Sequence, residues 1–151
     1  MSSKYSTDVI NILVVEDNPG DIRLIEEAFA EDDCRCRLHV TKDGSEALAF
    51  LRQEGAFDSA PRPAVILLDL NLPRKSGSEV LETVKSDRTL KRIPTIVLTS
   101  SCASEDVTQS YENYANAYVT KPVDPDEFIR AIRSLERFWT STARLPRPPE
   151  P

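Results

Sequence analysis

The stretch Pro63-Ala64-Val65-Ile66-Leu67-Leu68-Asp69-Leu70-Asn71-Leu72-Pro73 decides the fold. Val65 to Leu68 is a continuous apolar run rich in branched residues, the pattern of a strand buried on both faces of a parallel sheet. The run stops on an ionisable group, Asp69. A carboxylate directly after a fully buried strand is costly unless something uses it. In open α/β sheets the ligand crevice lies just beyond the carboxyl ends of the strands, which is where Asp69 falls.

The pattern repeats on either side. Ile10 to Val15 is a branched run that ends in Glu16-Asp17. Asn18 then suits an N-cap and Pro19 a first helical position, with Ile22, Ile25 and Phe29 on one helical face. Cys36 to Val40 reads as a weaker strand at a sheet edge. Asp43 and Glu46 have capping-box spacing before a helix carrying Ala47, Leu48 and Leu51. Gly55 to Pro63 reads as a loop anchored by Phe57. Beyond Asp69, Ser76 and Glu79 form a second capping box before Val80, Leu81 and Val84. Pro94 introduces the branched run Thr95 to Leu98, which ends at Thr99. Ser104-Glu105-Asp106 opens a helix with acids at its positive end. Ala117 to Val119 is a short strand followed by Thr120-Lys121-Pro122. Asp124-Pro125-Asp126-Glu127 starts a last helix whose Phe128, Ile132, Leu135 and Trp139 share a stripe. Five strands alternating with five helices predict an α/β domain with a parallel, doubly wound sheet.

A chain of 151 residues suits one domain. We place it at residues 9–142, between an N-terminal tail, 1–8, and a proline-rich C-terminal tail, 143–151, read as disordered from Leu145 onward. Hydrophobic residues make up 40%, and no apolar stretch is long enough to span a bilayer. Met1 to Asp8 has no signal-peptide core, so the expected compartment is the cytoplasm. A net charge of -6 argues against nucleic acid or an anionic membrane as partner. Cys34, Cys36 and Cys102 are odd in number and lack zinc or redox spacing, so they are expected as reduced thiols. His39, the single histidine, has no clustered partner and reads as structural or exposed.

Glu16-Asp17, Asp69, Thr99 and Lys121 all fall at or just past the ends of strands one, three, four and five, so one crevice can hold them. Two carboxylates 4 Å apart repel by about 4 kcal/mol at an effective dielectric near 20. A divalent cation relieves that repulsion, and an all-oxygen ligand set favours Mg²⁺. A carboxylate beside Mg²⁺ can attack phosphorus, while a lysine and a hydroxyl steady the phosphoryl oxygens. These are the parts for phosphoryl transfer to Asp69. Each residue also has a plainer reading. Asp17 beside Asn18-Pro19 suits a helix cap, Lys121 a solvated surface lysine, and Tyr118 strand packing. Phe138 and Trp139 suit either core or a partner surface.

Taken together, Glu16-Asp17, Asp69 within Leu-Asp-Leu-Asn-Leu-Pro-Arg-Lys-Ser-Gly, Thr99-Ser100, and Lys121-Pro122 resemble a receiver domain, the response-regulator module of two-component signalling. The likeness runs from about Ile10 to Phe138. It implies a flavodoxin-like (βα)5 fold with strand order 2-1-3-4-5. It implies that Asp69 is the phosphoacceptor for a sensor histidine kinase. Asp17, Asp69 and the Asn71 carbonyl would hold Mg²⁺, with Glu16 acting through water. Thr99, Ser100, Tyr118 and Lys121 would be the phosphoryl-binding and switch residues, and Asn71 and Ser101 would tune hydrolysis. Lys121-Pro122 is the expected cis peptide. Output would pass through helix four, strand five and helix five, a surface regulators of this kind use to form homodimers, with Phe138 and Trp139 as candidate anchors.

No further domain is expected beyond the last helix. The segments Ser59-Ala-Pro-Arg-Pro63 and Ser134-Leu-Glu-Arg-Phe-Trp139 look most like stand-alone regulators serving phytochrome-type kinases. Relay intermediate or phosphate sink are alternative roles. An aspartyl-nucleophile phosphatase is a rival enzyme reading, but it wants an Asp two places after the nucleophile, where Asn71 stands. A receiver that has lost phosphorylation usually lacks the acceptor, the lysine or the acidic pair, and this chain keeps all three. The expectation is therefore a signalling phosphoacceptor rather than a turnover enzyme.

Overall fold

A computed structural model describes residues 9–30 and 35–146. The chain alternates β1 (Ile10–Val15), α1 (Pro19–Ala30), β2 (Cys36–Thr41), α2 (Gly44–Arg52), β3 (Val65–Leu68), α3 (Gly77–Ser86), β4 (Thr95–Thr99), α4 (Ser104–Glu112), β5 (Ala117–Thr120) and α5 (Pro125–Arg137). One sheet holds all five strands in the order β2-β1-β3-β4-β5, and every pairing is parallel. The alternating runs predict the parallel, doubly wound sheet, and the strand order is the flavodoxin-like (βα)5 one that the resemblance implies.

Successive strand residues point to opposite faces, and the core divides accordingly. Leu13, Val15, Ile66, Leu68 and Val97 pack on one side with Leu48 and Leu51 of α2 and Val80, Leu81 and Val84 of α3. Ile12, Val14, Val65, Leu67, Ile96 and Leu98 pack on the other with Ile25 and Ala28 of α1 and Phe128 and Ile132 of α5. Burial on both faces explains why β3 and β4 read as unbroken apolar runs.

Local chemistry sets the helix starts. Asn18 Oδ1 accepts the Asp21 N–H at 2.9 Å, so Asn18, not Asp17, caps α1. Asp43 Oδ1 accepts the Glu46 N–H at 2.7 Å, and Ser76 with Glu79 forms a complete capping box. Gly77 is required by close approach: a Cβ there would lie 2.0 Å from the Asp69 carbonyl oxygen. The first turn of α3 therefore packs directly against the backbone of Asp69. Asp43 Oδ2 also accepts from Arg74 Nη1 at 3.0 Å, tying the loop after β3 to the start of α2. Arg74 holds a left-handed backbone, φ 66°, where a side chain is uncommon.

Several details differ from the sequence reading. Gly55–Phe57 forms a short 3₁₀ turn inside the expected loop, and Phe57 anchors it against Phe50 at 5.5 Å between ring centroids. Helix α5 runs on into a π-helical turn, Phe138–Thr142, and Leu145 packs against the second core cluster rather than starting a free tail. Residues 147–151 lie outside the described residues. Cys102 is free and exposed, but Cys36 is disulfide-bonded, against the expectation of reduced thiols. Cys34 lies outside the described residues. His39 is structural as expected, with Nε2 3.0 Å from Asn11 Oδ1 and its ring beside Phe50. Among the described residues no helix is long and apolar enough to cross a membrane.

Candidate functional site

The carboxyl ends of β1, β3, β4 and β5 converge as the strand order requires. Glu16 follows β1 and is buried, with its N–H donating to the Thr41 carbonyl at 3.0 Å and its Oε2 accepting the Asn18 N–H at 3.2 Å. Asp17, the next residue, is exposed. Asp69 follows β3 and is buried; its N–H donates to the Val15 carbonyl at 3.0 Å, and its Oδ1 accepts the Asn71 N–H at 3.1 Å. One carboxylate oxygen from each of Glu16, Asp17 and Asp69 lies within 4.8 Å of the others. This all-oxygen donor set fits a hard divalent cation such as Mg²⁺ or Mn²⁺.

Lys121, just past β5, reaches into the same crevice. Its Nζ donates to Glu16 Oε1 at 2.6 Å, Asp21 Oδ2 at 2.8 Å and Asp69 Oδ2 at 2.9 Å. Burial alone would lower the Lys121 pKa, but hydrogen bonds to Asp21, Glu16 and Asp69 outweigh it and hold the group well above its usual value. Burial pushes Glu16 the other way, up to about 7, with the Asp69 charge adding to the rise and the Lys121 bond opposing it. Glu16, Asp17, Asp21 and Asp69 place four carboxylates around one ammonium, so the crevice is short of positive charge. A divalent cation would supply it.

Thr99 closes the crevice at the end of β4. It is fully buried, its carbonyl accepts the Lys121 N–H at 2.7 Å, and its Oγ1 lies 3.5 Å from Asn71 Nδ2. Ser100 is exposed beside it, and Ser101 Oγ donates to Asp106 Oδ2 across the start of α4. Tyr118 is turned inward: its hydroxyl donates to the Ser101 carbonyl at 2.8 Å and its ring packs against the first core cluster. Burial raises the Tyr118 phenol above its ordinary value. The Tyr118 N–H donates to the Tyr111 hydroxyl oxygen at 3.2 Å.

The structure thus brings together Glu16, Asp17, Asp69, Asn71, Thr99 and Lys121, with exposed Ser100 directly after Thr99 and the Tyr118 hydroxyl reaching from β5 to the Ser101 carbonyl in the β4–α4 loop. One expectation fails. Pro122 is not preceded by a cis bond, because no cis peptide occurs among the described residues. The trans isomer of an X–Pro bond is favoured by ~0.5–1 kcal/mol, and here the trans backbone already delivers Nζ to three carboxylates. Phe138 and Trp139 split between their two readings: Trp139 packs against the second core cluster, whereas Phe138 is 49% exposed, and their rings meet edge-on at 5.1 Å.

Sequence reasoning missed Asp21. Its position in the first turn of α1, four residues after Asp17, carried a signal, but an acid there is already explained by the helix dipole.

The chain belongs to the response regulator receiver domain family, whose model matches residues 12–133. Within it the likeness is to stand-alone, phytochrome-associated regulators. Response regulator Rcp1 of Synechocystis sp. is 44% identical over 135 residues, covering 89% of this chain and 92% of that protein. The structure of a phosphorylated cyanobacterial phytochrome response regulator, RcpA, superposes with a TM-score of 0.91 at 47% identity, covering 93% of this chain and 100% of the other. That of the Mn²⁺-bound form of Rcp1 gives 0.89 at 43% identity, covering 91% and 99%.

Proposed function

We propose that this receiver takes a phosphoryl group from the phosphohistidine of a sensor kinase onto Asp69. The observation that carries the reading is the Lys121 ammonium 2.9 Å from Asp69 Oδ2, within a group of carboxylates suited to a cation. An Asp69 carboxylate oxygen forms the new bond to phosphorus as the bond from phosphorus to the donor nitrogen breaks, giving an acyl phosphate. Glu16, Asp17 and Asp69, with the Asn71 carbonyl, would hold Mg²⁺, which offsets negative charge on the incoming group. Lys121 and Thr99 steady the phosphoryl oxygens, and Ser100 and Tyr118 are the switch residues that respond. Acyl-phosphate chemistry at Asp69 makes the chain a signalling acceptor with self-phosphorylation and self-dephosphorylation, not a turnover enzyme. Asn71, where a phosphatase would place its general acid, supports that choice.

The likeness to a phosphorylated cyanobacterial phytochrome response regulator favours a phytochrome-type kinase as donor. Phosphorylation adds nearly two charges and three acceptor oxygens at one point. The resulting contacts with Thr99 and Lys121 bias the α4–β5–α5 surface, through which the chain forms a homodimer.

Incubation with acetyl phosphate and Mg²⁺ tests this. Intact-mass measurement is expected to show one phosphoryl group per chain, lost in Asp69→Asn and on chelation of the metal. Light scattering on the same samples reads the dimer. Label that persists in Asp69→Asn removes Asp69 as the acceptor, and a particle mass that ignores both label and beryllofluoride removes self-association as the output.

A further inference from the structure

We propose that Asp21 is a positioning residue for this phosphoryl transfer: it holds the Lys121 ammonium in the resting protein and competes with the phosphoryl group for it. The inference rests on the phosphoacceptor reading of Asp69. A lysine ammonium has three donors, and all three are committed here, to Glu16, Asp21 and Asp69 at 2.6, 2.8 and 2.9 Å. A phosphoryl group on Asp69 adds three acceptors beside the same ammonium. Lys121 can bond to it only by releasing a present partner.

Burial decides which partner is released. The Glu16 side chain is 2% exposed, so losing the ammonium would strand Oε1 away from water. The donor now on Asp69 Oδ2 passes to a phosphoryl oxygen on the same residue, so a second bond to the phosphoryl group must come from the donor on Glu16 or on Asp21. The Asp21 side chain is 25% exposed, so water replaces the ammonium there at little cost. Asp21 is also free for this role. Its N–H is satisfied by Asn18 Oδ1, and the cap of α1 is the Asn18 side chain, not its own. Asp21 therefore sets where Lys121 rests, and its carboxylate is what the phosphoryl oxygens must displace.

The test is the time course of labelling of the full chain by acetyl phosphate in excess Mg²⁺, read by intact mass. Wild type is compared with Asp21→Asn and Asp21→Glu, each also in a Lys121→Gln background followed for as long as its slower baseline requires. Asp21→Asn is expected to label about fivefold faster, the factor for an ion pair worth about 1 kcal/mol. Asp21→Glu is expected to return the rate toward wild type. In the Lys121→Gln background the gain is expected to vanish, because the effect runs through the ammonium. Loss of one negative charge acting only through the general field would survive without Lys121. A merely helix-stabilising acid would shift the unfolding midpoint and leave the rate alone. Either result overturns the proposal, as does a slower Asp21→Asn. Asp21→Ser, also compatible with a first helical turn, repeats the test if Asp21→Asn folds poorly. A wild-type chain that takes no label overturns the acceptor reading itself, whereas labelled wild type with unresponsive Asp21 variants overturns only this inference.

Discussion

Two lysines at opposite ends of the same sheet use the same three donors for different ends. Lys121, past the carboxyl end of β5, bonds three carboxylates. Lys85, in the last turn of α3, bonds the Lys91 and Ile93 carbonyls at 2.9 Å each and Asn116 Oδ1 at 3.0 Å. Asn116 Oδ1 in turn accepts the Thr95 N–H at 2.9 Å, so Lys85 fastens α3 to the starts of β4 and β5. Donor count is equal; the charge of the acceptors is not. Burial lowers Lys85 to about 8, while the carboxylates hold Lys121 above its usual value despite burial. One ammonium is a fastener satisfied by neutral oxygens. The other is a counter-charge in a crevice that still has too much negative charge.

The sharpest way to break the comparison is to remove each ammonium. Lys121→Gln leaves Glu16 and Asp69 buried without their cation, and is expected to cost about 3 kcal/mol of unfolding free energy at neutral pH in metal-free buffer. Millimolar Mg²⁺ is expected to restore much of that loss in urea titrations, since a cation replaces the missing charge. Lys85→Met strands only neutral oxygens, so about 1–2 kcal/mol is expected, with no Mg²⁺ rescue and an unchanged labelling rate. Equal responses to Mg²⁺ in the two variants would erase the distinction.

Titration gives a smaller, signed difference. Lys85 has a folded pKa near 8, below its ordinary 10.5. Between those values the unfolded chain binds the extra proton, so this group makes stability rise with pH across that window. The stability of wild type minus that of Lys85→Met is expected to grow from pH 8 to pH 10. Glu16 has the opposite sense. Its folded pKa, about 7, lies above its ordinary 4.5, so its contribution is full below pH 4.5 and is lost as pH climbs to about 7. Mg²⁺ is expected to flatten that slope, and a metal-independent slope would count against Glu16 facing the cation.

The sheet and most of the site were legible because they rest on local chemistry. Branched runs such as Val65–Leu68 mark buried strands, and Asn18, Asp43 and Ser76 mark helix starts by capping. With the alternation fixed, chain order alone sends Asp17, Asp69, Thr99 and Lys121 to one end. What stayed hidden depends on side-chain direction or on longer-range packing. Nothing in the spelling of α1 says that Asp21 turns toward β5. The cis bond before Pro122 rests on the resemblance alone, and the backbone holds the ordinary trans isomer. Leu145 looks like tail until α5 ends in a turn that lays it on the second core.

The hydrogen bond from the Lys121 N–H to the Thr99 carbonyl is one rung of the β4–β5 ladder. It yokes, backbone to backbone, the two side chains proposed to grip a phosphate from either flank. Sliding one strand would drag both grips along, so the pair should report a single mechanical displacement. That displacement would be handed to the exposed border of the sheet, where β5 has β4 on one side only.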